Sequence, residues 1–201
     1  MALLTTILAI AASYALGSVS FSILIARYFK GIDIRHHGSG NAGATNTLRV
    51  LGKGPGIAVF VLDILKGVAA VWIGRLAAPD VDWLPAVCGL AVIAGHNWPI
   101  FFRFRGGKGI ATMIGAMVSL AFIPSLYAGI IAILLVAITR YVSLGSLVFA
   151  LLTPLSIFLL IGIGPIFWTS AVLCVFAFVR HRSNLVKLYK GTENKLGAKK
   201  P

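Results

Sequence analysis

The chain has 201 residues, of which 59% are hydrophobic and 11% charged, and its mean hydropathy is +0.96. That balance excludes a soluble domain, which needs more charge to cover its surface, and points to an all-α integral membrane protein. The formal net charge of +13 does not imply nucleic acid. Basic residues set membrane topology and are drawn to anionic headgroups by about 1 kcal/mol each near the surface.

Apolar stretches run from Leu3 to Ala26, Ile57 to Trp72, Trp83 to Ala94, Ile110 to Phe122, Ser125 to Thr139, Leu144 to Ile163 and Ile166 to Val179. A straight crossing needs about 20 residues, so the third and fourth are short, and about seven crossings are expected, with five to eight defensible. The first run has no basic residue before it, and Arg27, Lys30 and Arg35 follow it, the reverse of a cleavable signal peptide. Its N-terminus is therefore expected outside and the C-terminus in the cytoplasm. Seven crossings place Arg49, Lys53, Arg103, Arg105, Lys108, Arg140, Arg180, Arg182 and the tail lysines 187, 190, 195, 199 and 200 on one face, against Arg75 beside Asp80 and Asp82 on the other. The expectation is a single polytopic membrane domain over residues 1–201, with polar loops at about 35–54, 95–112 and 180–197 on the cytoplasmic face.

The first polar connection, Arg35 to Gly54, holds Gly38, Gly40 and Gly43 in G-x-G-x-x-G spacing. A dinucleotide fold is excluded because membrane helices flank it and leave no room for a βαβ unit. What remains is an uncharged cluster of Ser39, Asn41, Thr45, Asn46 and Thr47 ending in Arg49. Near the membrane boundary such groups need one another or a polar ligand as partners. Within the second run, Asp63 and Lys66 are three apart and can meet on one helix face, either as a buried structural pair or as the lining of a polar pocket.

The stretch from Gly95 to Thr112 reads G-H-N-W-P-I-F-F-R-F-R-G-G-K-G-I-A-T. Gly106, Gly107 and Gly109 bracket Lys108 where a polar connection turns into a helical run. That pattern offers backbone N–H groups, a helix N-terminus and a cation to a phosphate, or else marks a surface turn. It is not a Walker loop, since Lys108 is followed by Gly109 rather than Ser or Thr. Further along come Arg140 with Ser143, and a C-terminal stretch beginning with Arg180, His181, Arg182 and Asn184.

A face rich in Ser, Thr, Asn, His, Arg, Lys and glycine, with Asp33 and Glu193 as its carboxylates, is built for anions. It offers no ligand set for a divalent metal, so no metal and no cofactor are expected. Cys88 and Cys174 lie in apolar runs and read as small hydrophobes.

The segments S-G-N-A-G-A-T-N-T-L-R (39–49), Gly95–Thr112 and H-R-S-N-L-V-K-L-Y-K-G-T-E-N-K-L-G (181–197) resemble, in order, the three cytoplasmic motifs of the bacterial acyl-phosphate-dependent glycerol-3-phosphate acyltransferases, the PlsY family. The resemblance implies a seven-helix enzyme of the bacterial inner membrane. It would move a fatty acyl group from long-chain acyl phosphate to the sn-1 hydroxyl of glycerol 3-phosphate, giving lysophosphatidic acid and phosphate, in contact with membrane lipids and without nucleic acid. It implies catalytic roles for Ser39, Arg49, Lys108, His181 and Asn184, and a structural role for Glu193. Asn41, Thr45, Asn46, His96, Gly106, Gly107, Gly109, Ser143 and Arg182 complete the expected substrate-binding set. No H-x-x-x-x-D pair is present, since the residues five beyond His36, His37, His96 and His181 are Asn41, Ala42, Phe101 and Val186. A mechanism without a protein general base is therefore expected, with His181 positioning phosphate rather than accepting a proton. The competing readings are a small transporter of an organic phosphate, which lacks a visible inverted repeat, and a phosphatidyl transferase, which lacks metal-binding aspartates. Oligomeric state is not legible.

Overall fold

The computed structural model describes residues 2–197; Lys199 and Lys200 of the basic tail lie outside them. Regular structure among these residues is entirely helical: α1 (Ala2–Ser18), α2 (Phe21–Lys30), α3 (Ala44–Leu51), α4 (Lys53–Ala77), α5 (Leu84–Asn97), α6 (Ile110–Leu120), α7 (Phe122–Thr139), α8 (Val142–Leu160), α9 (Pro165–Arg180) and α10 (Arg182–Tyr189), with short 3-10 turns at Ile34–His36 and Ile100–Phe102. Among the described residues, five segments are long and apolar enough to cross a membrane: Leu3–Lys30, Lys53–Ala77, Leu84–Phe102, Phe122–Thr139 and Val142–Leu160. α6 and α9 are apolar but shorter.

The chain packs as two compact units divided between Leu120 and Ala121. In the first unit, small residues let helix backbones touch. A β-carbon on Gly17 would strike the Val92 carbonyl and one on Gly95 the Tyr14 carbonyl, so α1 and α5 meet backbone to backbone. Gly67 against the Thr112 carbonyl and Gly115 against the Ile64 carbonyl do the same for α4 and α6. Two serine hydroxyls inside these apolar helices are satisfied locally. Ser13 donates to Ala9 O (2.8 Å) and Ser119 to Gly115 O (2.9 Å).

The structure corrects the first apolar run. Leu3 to Ala26 does not form one uninterrupted helix; it breaks at Val19–Ser20 between α1 and α2. Irregular backbone at that depth needs internal partners, and it has them: Lys66 Nζ donates to the carbonyls of Gly17 (3.2 Å) and Val19 (3.0 Å). Two short helices inside the motif loops, α3 and α10, also replace what reads as irregular connection in the sequence.

α6 is only 11 residues long, about 16 Å, roughly half a bilayer core. Its first turns pack on α4 at Ile64 and Gly67, about 17–21 Å along that helix from its start at Lys53, taking 1.5 Å per residue. The loop that leads into α6 is therefore recessed well beyond the α3–α4 junction, where Gly56 packs on Leu48.

In the second unit α7 and α8 form an antiparallel hairpin in which Gly145 packs on the Ala132 carbonyl and the Val136 side chain. α9 packs on α8 and carries α10 at its end.

Candidate active site

The first motif is a loop closed on one amide. Asn46 is 1% exposed; its Oδ1 accepts the Ser39 N–H (2.8 Å) and its Nδ2 donates to the carbonyls of His37 (2.9 Å) and Ile34 (3.2 Å). Gly38 and Gly40, at φ +63° and +74°, take the left-handed conformations that let the chain wrap this tightly. Thr47, also buried, shares a hydrogen bond with Ser22 (2.8 Å) and bonds Gly43 O (3.1 Å), spending its hydroxyl on packing α3 against α2. Ser39 and Arg49 stay exposed, while Asn41 and Thr45 are half-buried. Thr45 and Arg49 are four apart on α3 and share its outer face. The motif thus divides into a buried scaffold, Asn46 and Thr47, and an outward set, Ser39, Asn41, Thr45 and Arg49.

Arg35 ties this loop to the next. Its guanidinium holds Asp33 by several bonds, the shortest 2.6 Å, and donates to the Phe102 carbonyl (2.9 Å). The Arg35 hydrogen bonds, with the charges of Arg35 and Arg27, outweigh partial burial and hold the Asp33 carboxyl down at about 2, while Asp33 pushes Arg35 up.

The second motif is a buried clamp. The N–H groups of Gly106 and Gly107 donate to the carbonyls of Asn97 (3.3 Å) and His96 (3.1 Å). This corrects the sequence reading in which those amides face a phosphate: both are spent on holding the loop. A β-carbon on Gly107 would strike His96 Nε2 and the Ala42 carbonyl of the first motif, so the two loops meet at a point that only glycine fits. Gly109, at φ +81°, lies against the Asn97 amide. Helix α6 starts immediately after, so the amides of Ile110 to Thr112 are the first-turn donors that have no carbonyl partner within the helix. Lys108 is half-buried between the glycines.

His96 is itself held. It is 6% exposed and its Nδ1 lies 2.9 Å from Lys66 Nζ, which pairs with Asp63 Oδ1 at 2.8 Å. Asp63 and Lys66 therefore form the buried pair that their spacing allows, and its third member, thirty positions away, is not visible in any local pattern. Asn97, fully buried, has neither amide atom hydrogen-bonded among the described residues. It is a polar group inside the clamp that the sequence reading passed over.

In the second unit His181 is 3% exposed and its Nδ1 faces Ala177 O at 2.8 Å. A carbonyl only accepts, so Nδ1 carries a proton. Asn184 Nδ2 donates to Glu193 Oε1 (2.9 Å), and Arg182 is exposed. The tail returns to the α7–α8 turn, where Leu196 N–H donates to Arg140 O (2.7 Å) and Arg140 Nε to Leu196 O (3.1 Å). Ser143, in the first turn of α8, is buried with a hydroxyl that has no partner among the described residues.

A family model described as glycerol-3-phosphate acyltransferase matches residues 7–191. The chain belongs to this family. Relatives of the same description from Shouchella clausii and Halalkalibacterium halodurans are each 54% identical, the first over 92% of this chain and 93% of its own length, the second over 94% of both. Solved structures of PlsY, an integral membrane glycerol 3-phosphate acyltransferase, superpose at 35% identity. Its glycerol 3-phosphate form does so with a TM-score of 0.90, covering 96% of each chain. Its lysophosphatidic acid form does so at 0.87, covering 96% of this chain and 95% of that one. Family membership and this fold make the chain an integral membrane protein, and the all-helical architecture is that of the family.

Proposed function

We propose that the chain transfers a long-chain acyl group from acyl phosphate to the sn-1 hydroxyl of glycerol 3-phosphate, releasing lysophosphatidic acid and inorganic phosphate as the first step of phospholipid synthesis. The observation that carries the reading is the seam at Gly107. There a recessed glycine–lysine loop opening α6 abuts the loop that presents Ser39 and Arg49, in a member of the glycerol-3-phosphate acyltransferase family. In this proposal Arg49 and Lys108 neutralise phosphate oxygens, with the α6 N-terminus contributing its amides. Ser39, Asn41 and Thr45 add hydroxyl and amide contacts, and on the second unit Arg182, Ser143 and Asn184 offer groups suited to phosphate. Asn46, Gly106, Gly107, Gly109 and Glu193 act by shaping the loops.

In the reaction a bond forms between the acceptor oxygen and the acyl carbon, and the bond from that carbon to the bridging phosphate oxygen breaks. The acceptor proton passes to a phosphate oxygen of the donor. The mixed anhydride is activated, so clamping both phosphates and stabilising charge on the departing one replace a general base. His181 donates to phosphate from Nε2, which with Nδ1–H already given to Ala177 requires the imidazolium. His181→Gln, which retains a donor, is then expected to keep substantial activity.

The proposed topology is about seven crossings in one catalytic membrane domain of the bacterial inner membrane, with the N-terminus outside and the motif loops in the cytoplasm. The basic residues near the loops, with Arg75, Asp80 and Asp82 at the opposite ends, support it. A cysteine at Asp80 should react with an impermeant reagent on whole cells and one at Gly38 or Lys187 should not; labelling at Gly38 would reverse the orientation. The deciding assay is phosphate release from acyl phosphate by the purified protein. Release that depends on glycerol 3-phosphate supports the reading, whereas phosphate flux without turnover, or equal turnover of acyl-CoA, overturns it.

A further inference from the structure

The titratable groups least expected in an apolar helix are Asp63 and Lys66, 1% and 3% exposed. An ammonium has three protons to donate, and Lys66 Nζ meets three acceptors: Gly17 O (3.2 Å), Val19 O (3.0 Å) and His96 Nδ1 (2.9 Å). Asp63 Oδ1, 2.8 Å away, balances the charge as an ion pair without aligned hydrogen-bond geometry. Because the ammonium only donates, His96 Nδ1 must accept. An imidazolium would set a second N–H against Lys66 at that distance, and the alternative partner, Asp63, is farther at 3.5 Å. His96 is therefore neutral, with its proton on Nε2.

That nitrogen lies against Gly107, and the His96 carbonyl accepts the Gly107 N–H. Ring and backbone of one residue thus grip the glycine that precedes Lys108, where the first motif's Ala42 carbonyl also abuts. We infer that Asp63 and Lys66 are positioning residues that lock His96 in its Nε2–H tautomer and orientation, and so hold the Lys108 loop against the Ser39–Arg49 loop for glycerol 3-phosphate binding. The same ammonium pins the break between α1 and α2, so one cation ties four segments of the first unit together: the α1–α2 break, α4, α5 and the glycine loop.

This inference rests on the proposed acyltransferase reading for its kinetic readout, and the experiment separates the two. Lys66→Met leaves Asp63 uncompensated and risks misfolding, so the informative variant is the double one, Asp63→Asn with Lys66→Met, which removes both buried charges. Its KM for glycerol 3-phosphate should rise about tenfold, with kcat changed much less, while Lys66→Arg, which keeps the charge and the donors, should restore part of the loss. Nitrogen-15 NMR of histidine-labelled protein should show wild-type His96 bare at Nδ1 and protonated at Nε2, and a mixed population in the double variant. A folded double variant with wild-type KM, or a wild-type His96 protonated at Nδ1, overturns the inference. If the wild type itself shows no turnover, the acyltransferase reading fails alone. Calorimetric binding of glycerol 3-phosphate to wild type and double variant then decides the positioning, with equal affinities overturning it.

Discussion

The glycine loop at 106–109 and the third motif at 181–197 both carry cations and are held in opposite ways. The glycine loop is gripped from inside the first unit by His96, Asn97 and the Ala42 carbonyl, and three of its glycines sit where a β-carbon has no room. The third motif is tethered near the surface of the second unit by a few directed bonds, Asn184 to Glu193 and Leu196 to Arg140, with most of its side chains exposed. Steric clamps hold position against every added atom. Hydrogen-bonded tethers hold it only as well as their weakest bond, so the two motifs should fail differently when changed.

The largest effect should come from Gly107→Ala. Its methyl meets the His96 ring and the Ala42 carbonyl, and the ring cannot move without disturbing the Lys66 network. A displacement of about 1 Å at such a site costs on the order of 100-fold, so kcat/KM should drop by at least that, with melting in detergent checking that the variant is folded. Near-normal turnover would show that the clamp is slack.

Next is Arg49, the exposed cation of the first motif. Its planar fork suits phosphate oxygens in a way that a point charge does not, so Arg49→Lys should lose about ten- to a hundredfold in kcat/KM, almost as much as Arg49→Ala. Wild-type-like activity of Arg49→Lys would leave Arg49 as a topology signal only.

On the tethered side, Glu193→Ala removes the acceptor that orients Asn184 and should cost about three- to tenfold, whereas Glu193→Gln keeps an oxygen in place and should cost less than about threefold. Equal losses in the two variants would mean that the charge, and not the tether, matters.

The smallest effect concerns the Asp33–Arg35 tie between the first two loops. The folded Asp33 carboxyl is held at about 2, below its ordinary 3.8, so its contribution to stability is complete above that ordinary value and is lost as pH falls toward about 2. Asp33→Asn should therefore lower melting near neutral pH by a small amount, leave it unchanged near pH 2, and flatten the acid limb of a thermal-melt series between them by that same amount. An unchanged acid limb would remove Asp33 from the account.

Much of this was readable in the residues. The polar cluster of the first motif, Lys108 among its glycines, and the meeting of Asp63 with Lys66 on one helix face all follow from local spacing and composition. What was misread is instructive. Gly106 and Gly107 offer amides in the sequence, but their N–H groups close the loop, because carbonyls freed at the end of α5 need donors as much as any anion does. Asn46 reads as a ligand-facing amide and is instead the staple of its own loop, since Gly38 and Gly40 turn the backbone inward onto it.

By itself the sequence determined that the chain is helical and lies in a membrane. Long apolar runs in lipid must satisfy their backbone within the segment, and an intrasegment pattern is written in consecutive residues. It also determined where the polar loops fall. The tertiary structure alone decided that α1 and α2 part at Val19–Ser20, that the first turns of α6 pack on α4 about 17–21 Å from its start, and that Lys66 reaches His96 and the carbonyls of Gly17 and Val19 at the α1–α2 break. Those contacts join residues thirty to fifty positions apart, and only packing brings their charges and lone pairs into one desolvated space where each donor must find an acceptor.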